Sequence, residues 1–588
     1  MYRHASRCAL DPRTRWSAAV LAVATTVATT GVLPTTVFAY PSEPTYAGPT
    51  GPPVVLVHGL NSNARVWDDY TGERGFLASI GRRGFAVGDG QAPGVLDMGD
   101  WVTPTARTNT IAENAAILGH YIDGVRARTG AEYVDIVAHS MGGLVARYYI
   151  DHLMQTRTVA RLVMLGTPNE GSDCASLPAA LGIGVPATLE LRPSYLSQVF
   201  NRMVTDRNGV PFFVLAGINV TDPVRSPCAP VPSDGVVSRA SATTVDGQIA
   251  QLPLGHTALT GSREAFDQFV APVLTATFDP AVYAVTPSPP TEAAVEQFAA
   301  VASAHVPPGG QAEFVVDLDA VAVAAFALFD PSRSVQIEVR GASGNIIELD
   351  PAVHGVTIVD DPDALYHLGY GFANPRPGQW RVTVRATAAT PAQGASVALA
   401  VRTTGGAQLQ ASTSTLLGQI DVPVEISAQL SADGQPVEVD EAVAVIRRPD
   451  GAVTEVALAI DGATAHAAWQ PEVPGIHGID VRLSGLTAAG QPVERVALLA
   501  VEVEPPPAQV WRARAVALVV LAVLLTALAL LALRRRRRRS RRRVTPGRPS
   551  TPAAHGESAL AGAVRSAAGG SAGPATPPTA TPGDGDGG

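Results

Sequence analysis

The chain has 588 residues, 46% of them apolar, with 43 Lys plus Arg against 52 Asp plus Glu and a net charge of −9. That length is too great for one core and suggests about three to five domains. Between residues 40 and 511 stand 26 arginines, no lysine and 48 acids, an acidity that excludes nucleic acid as a partner of this region because phosphate binding needs a basic surface.

At the start, Arg3, Arg7, Arg13 and Arg15 precede an apolar stretch from Ala18 to Leu33, and Val37-Phe38-Ala39 then offers small residues of the kind a signal peptidase reads. Residues 1–39 are therefore expected to be a cleaved signal peptide. The alternative, an uncleaved anchor, fits less well with the interrupting threonines and Pro34. Residues 40–52, rich in proline, glycine and threonine, read as a linker.

From 53 to 279, strand-like runs alternate with helical ones. VVLVHG leads to a helical stretch around Arg65 to Arg82. FAVGDG, a helix from Thr108 to Thr129 and YVDIVAHS with its own helix follow. ARLVMLGTP, PFFVLAGINV and a last helix near Ser262 to Leu274 complete the series. This rhythm predicts an α/β fold, a mostly parallel sheet with helices on both faces.

Within it, YVDIVAHSMGGLVARYYI places Ser140 between a buried strand and an apolar-periodic helix. That is the form of a nucleophile elbow, in which small flanking residues let a strained serine rise above the sheet edge, and Ala138, Gly142 and Gly143 meet the need. A small-x-Ser-x-Gly string alone arises by chance roughly once per thousand residues, so the strand before and the helix after carry the assignment. Serine also needs a base, usually a histidine oriented by a carboxylate, and in this fold the order is serine, acid, histidine. His152 lies twelve residues along the elbow helix, about 18 Å away, which leaves His256 as the base. Order alone does not choose the acid among Asp206, Asp222, Asp234 and Asp246. His58 and His139 flank these groups and are read as structural supports of the oxyanion loop and the elbow.

Pro287, Pro289 and Pro290 mark a linker over 280–297, after which short alternating runs separated by turn residues predict two all-β sandwich domains, 298–404 and 405–505, the second Ig-like. Both end in similar segments, NPRPGQWRVTVRA and QPEVPGIHGIDVRL. They carry no readable site and are expected to act as spacers, with contact to polysaccharide or cell-envelope components as the alternative. Residues 515–533 are apolar apart from Thr526 and precede nine arginines between Arg534 and Arg543, the pattern of a transmembrane helix with a stop-transfer signal. The expected location is thus the cell membrane, single-pass, with the catalytic part extracellular and 534–588 a cytoplasmic, arginine-rich and then disordered tail. Cys8 falls in the signal region, leaving Cys174 and Cys228 as an even pair outside the cytoplasm, where a disulfide persists; two free buried thiols are the alternative.

HGL at 58–60, AHSMGGLVARYY, LGTPNEGS, LRPSYLSQVFN, PSDGVVS and GHTALTGS resemble, in order, the motifs of secreted bacterial lipases of the α/β-hydrolase superfamily. The resemblance covers about residues 53–275, under half the chain. It implies Ser140 as nucleophile, Asp234 as acid and His256 as base, with the backbone N–H groups of Leu60 and Met141 as oxyanion hole. Ala138 stands where glycine is commoner, as in a subgroup of small bacterial lipases. Related lipases also carry a disulfide in the region of Cys174 and Cys228; closing that loop is worth about 4 kcal/mol in the chain-entropy model. No cofactor and no catalytic metal are expected, although some related lipases hold a structural calcium and this region is acidic.

Between Ser176 and Phe200 the chain is apolar yet rich in glycine and proline. Leu177, Leu181, Ile183, Val185 and Leu189 are candidates for an acyl pocket wall or lid, with a buried helix completing the core as the alternative. The expected activity is cleavage of carboxylic esters, lipids above all, through an acyl-enzyme. A lipid acyltransferase or thioesterase using the same triad is one alternative, and a surface adhesion protein with a hydrolase-like scaffold is another.

Overall fold

The computed structural model describes residues 51–99, 106–172, 174, 185–226, 228–277, 297–350, 352, 356–360, 367–505 and 518–531. The expected signal peptide, the 280–297 linker except Gln297, the cytoplasmic tail and the pocket candidates Leu177, Leu181 and Ile183 lie outside the described residues. The chain divides into two units, 1–507 and 508–588.

The first part of the larger unit is a six-stranded sheet. Its strands β1 (Val54–Val57), β2 (Gly84–Ala86), β3 (Val134–His139), β4 (Val159–Leu165), β5 (Phe212–Gly217) and β6 (Gln248–Leu252) run in the order β2-β1-β3-β4-β5-β6, all neighbours parallel. β1, β3 and β4 are buried along their whole length, as strands covered on both faces must be. Val55, Ile136 and Leu162 point into a core completed by the helices Ile111–Thr129 and Met141–Tyr148. Their neighbours Leu56, Val137 and Val163 face the opposite core, with Trp67, Tyr70, Phe266 and Phe269.

The helix Ile111–Thr129 is delimited by local chemistry. Thr110 and Glu113 form a reciprocal capping box, and Gly130 ends the helix in the left-handed region. The stretch expected to be helical around Arg65 to Arg82 is instead two short turns, Ala64–Trp67 and Phe76–Ser79. Gly72 and Gly81 have positive φ there, and a Cβ on Gly75 would lie 2.2 Å from the Thr71 carbonyl, so no regular helix passes through.

The β region is built on one long sheet. Its strands run Val356–Asp360, His367–Ala373, Val323–Phe329, Ala395–Thr404, Gln297–Val306, Pro492–Glu504, Gly475–Leu486, Glu438–Arg447 and Val453–Ala457, antiparallel throughout this path. A four-stranded sheet covers one half and a five-stranded sheet the other, giving two cores. The halves join where Val496 and Ala497 pair with Phe298 and Gln297. Along its central strands both faces of the long sheet are buried. Phe326 and Leu399 point into the first sandwich core and Leu483 and Val501 into the second, whereas Ala327, Phe329, Ala398, Ala400, Val496 and Leu498 pack against the α/β part. Spacers strung along a flexible chain would expose that second face to water. Arg192, fully buried, adds an ion pair to Asp480 at 2.8 Å and a hydrogen bond to the Leu499 carbonyl.

In the smaller unit, residues 518–531 are helical and exposed. They lie within the apolar run 515–533, whose ends fall outside the described residues, and among the described residues no helix is long and apolar enough to cross a membrane.

The close approach of the two parts depends on missing side chains. A Cβ on Gly371 would fall 1.8 Å from the Val224 carbonyl oxygen, a backbone atom that cannot swing away. Gly371→Ala is therefore expected to lower unfolding free energy by about 1–3 kcal/mol, measured by chemical denaturation.

Candidate active site

The parallel sheet brings the ends of β1, β3, β5 and β6 to one edge, the edge at which open α/β sheets bind ligands. Ser140 follows β3 directly, with φ 53° and ψ −131°, a conformation that costs an L-residue roughly 1–3 kcal/mol and is held by its surroundings. Two glycines allow it. A Cβ on Gly142 would lie 2.4 Å from the His58 carbonyl oxygen, and one on Gly143 would lie 2.1 Å from Thr167 Oγ1. The elbow helix can thus sit hard against the ends of β1 and β4.

The acid and base arrive on separate loops. Ser140 Oγ donates to His256 Nε2 at 3.0 Å, and His256 Nδ1–H donates to Asp234 Oδ2 at 2.8 Å. The other oxygen, Asp234 Oδ1, accepts the N–H groups of Val236 and Val237 at 3.0 and 2.7 Å, and the Asp234 carbonyl accepts the His256 N–H at 3.0 Å. A carboxylate so held cannot rotate away from the imidazole. Ser140, Asp234 and His256 are all buried.

Of the competing acids, Asp222 caps a short turn by accepting the Val224 N–H and Asp206 accepts the Asn208 N–H. His152 lies in the turn Tyr149–Leu153 beside Asp151. The Gly59–Leu60 loop lies against Ser140, since a Cβ on Gly59 would be 2.6 Å from Ser140 Cβ and 3.2 Å from its Oγ. Met141 opens the elbow helix, where N–H groups lack intrahelical partners.

Cys174 and Cys228 are joined by a disulfide. Val185 is buried just before the helix Pro186–Glu190. Leu189 is a correction to the pocket assignment. It is fully buried in the core, and its Cδ2 would lie 2.8 Å from a Cβ on Gly478, so it packs toward the β region instead of lining an acyl site. Among the described residues no group of three or more His, Cys, Asp or Glu side chains is placed to hold a metal ion.

Both flanking histidines have defined tasks. His58 Nδ1–H donates to the Gly59 carbonyl at 3.1 Å, and burial holds its imidazole below the ordinary histidine range. His139 Nε2–H donates to the His256 carbonyl at 3.0 Å, with ring centroids 4.6 Å apart. Burial first, and the neighbouring His256 second, hold His139 well below the ordinary range and therefore neutral. A role for His139 in fixing the His256 loop has no signature in sequence, because donor and acceptor are 117 residues apart.

A model for the PGAP1-like alpha/beta domain matches residues 109–176. A triacylglycerol lipase of Pseudarthrobacter phenanthrenivorans is 33% identical over 141 residues, 22% of this chain and 37% of that protein. A triacylglycerol lipase of Burkholderia plantarii is also 33% identical over 141 residues, 22% of this chain and 33% of that protein. The chain thus spans about a third of the length of the curated relatives it matches. The crystal structure of Bacillus licheniformis lipase BlEst2 in its propeptide form covers 78% of this chain and 95% of its own, with a TM-score of 0.51 and 15% identity, a likeness of fold. The α/β part has the α/β-hydrolase fold, followed by antiparallel β sheets.

His139→Phe keeps the ring and removes the donor to His256. The expected result is a fall in kcat of about tenfold, KM within about twofold, and a loss of about 1–3 kcal/mol in unfolding free energy for the unpaired carbonyl, read by steady-state kinetics and denaturation.

Proposed function

We propose that the chain is a serine hydrolase of carboxylic esters, acting on lipid substrates through an acyl-enzyme. One observation carries this reading: the continuous hydrogen-bond path from Ser140 through His256 to Asp234 at the carboxyl edge of the sheet. Ser140 Oγ attacks the ester carbonyl while His256 takes its proton. Asp234 holds the imidazole in the tautomer with Nδ1–H and stabilises the imidazolium. The N–H groups of Leu60 and Met141 receive the developing oxyanion; His256 returns the proton to the leaving alcohol, and water then releases the acyl group by the same steps.

The lipid class of substrate is supported by the partial likeness to two triacylglycerol lipases. We further propose an extracellular, membrane-tethered enzyme, from the arginine-led apolar stretch at the start and the apolar run 515–533 followed by arginines.

The test is turnover of p-nitrophenyl butyrate and palmitate by the purified chain beside Ser140→Ala, Asp234→Asn and His256→Ala. Each variant should lose about 10³-fold or more in kcat, and a fluorophosphonate probe should label the parent but not Ser140→Ala. Undiminished turnover by Ser140→Ala would falsify the mechanism. Product formed only when an alcohol is supplied would replace hydrolysis by acyl transfer.

A further inference from the structure

Asp234 stands on the loop that joins β5 to the helix Arg239–Ala242, and that loop is bounded on one side by the β region. Val236 and Val237, whose N–H groups hold Asp234 Oδ1, share an apolar cluster with Cys174, Cys228, Ala327, Ala398 and Ala400. Ala398 and Ala400 lie on the strand Ala395–Thr404, and Arg402 follows them on the same face by the two-residue period of a strand. Its Nη2 donates to two carbonyls of the acid loop, Ser226 at 2.9 Å and Ala229 at 3.0 Å. These residues bracket Cys228.

The hydrogen bonds continue inward. Ser226 Oγ donates to the Ala229 carbonyl at 2.5 Å and lies 3.4 Å from Ser233 Oγ, which accepts the Gly235 N–H at 3.2 Å. Ser233 is also paired with Val220 through both of its backbone groups. Arg402 therefore closes the far turn of a loop whose near turn carries the carboxylate. The disulfide anchors the loop to residue 174, and the guanidinium anchors it to the β region.

We infer that Arg402 is a positioning residue for the proposed reaction: it acts through the Ser226–Ala229 turn to hold Asp234 on His256, so the β region is a working part of the catalytic site. The inference rests on Asp234 being the catalytic acid. A guanidinium is suited to this task because the two N–H bonds of Nη2 are fixed in its plane, so one nitrogen serves both carbonyls, which a freely rotating lysine ammonium does with less geometric control.

The experiment is a double-mutant cycle in the full chain, with p-nitrophenyl butyrate as substrate. Arg402→Ala should lower kcat about tenfold with KM within about twofold, and Arg402→Lys should recover part of the loss. In an Asp234→Asn background the same Arg402→Ala change should cost less than about twofold, since a residue acting through the carboxylate has nothing left to position. Equal losses in both backgrounds, or no loss in the parent, overturn the inference. If Arg402→Ala fails to fold, Arg402→Lys carries the cycle with the same criterion. Should Asp234→Asn turn over like the parent, the assignment of the acid fails, an outcome read independently of Arg402.

Discussion

The carboxylate of Asp234 is the point where separate parts of this chain constrain one another. Its two oxygens face different demands: one must hold the His256 Nδ1–H, and the other must be occupied so that the group does not turn. The backbone makes room on both sides. A Cβ on Gly166 would lie 3.0 Å from Asp234 Oδ2, and a Cβ on Gly217 would lie 2.6 Å from Asp234 Cβ. Gly166, just after β4, and Gly217, at the end of β5, thus leave room for the Asp234 side chain. A loop this long between two sheet strands would ordinarily be mobile, and here a disulfide, a buried apolar cluster and a guanidinium restrain it.

A second buried charge group fixes the opposite end of the sheet. Asp135, fully buried on β3, accepts from Arg161 on β4 at 3.1 Å and from Arg82. Arg82 and Arg161 also donate to the carbonyls of Leu274 and Ala276, where the last helix of the α/β part ends. Each guanidinium is thus shared between carboxylate and carbonyl, and removal of the Asp135 carboxylate would strand two buried cations. Asp135 lies on β3 and Ser140 directly follows that strand, so the sheet register that sets one sets the other.

Much of the site was legible in the sequence because its signals are local or ordered along the chain. The strand-elbow-helix pattern marks Ser140, and elimination by distance along the helix marks His256. Asp234 came from a motif resemblance and not from residue chemistry, since four aspartates fit the order equally well. What local reading could not reach were partners far apart in sequence, such as His139 with His256 or Arg402 with Ser226. The packing of the β region against the α/β part was less legible for a different reason. Runs such as VAVAAFALF, VALAV and VALLAV are apolar at successive positions, and an unbroken run means a strand covered on both faces, where alternation would mean one wet face. That excess apolarity was the available sign that the sheet lies against the α/β part.

The seam between the two sandwiches has a temporal meaning. Phe298 on the first strand of the β region pairs with Val496 on its last, 198 residues later. The long sheet can close only after almost the whole region has left the ribosome. Until then the apolar cluster around Val236, Val237 and Ala242 lacks Val496 and Leu498, although the α/β part is already complete. Non-local pairing of this kind is slow, and apolar surface left bare during synthesis invites aggregation. The arrangement therefore obliges the N-terminal part to wait, folded but incompletely covered, for the last strand of the β region to arrive.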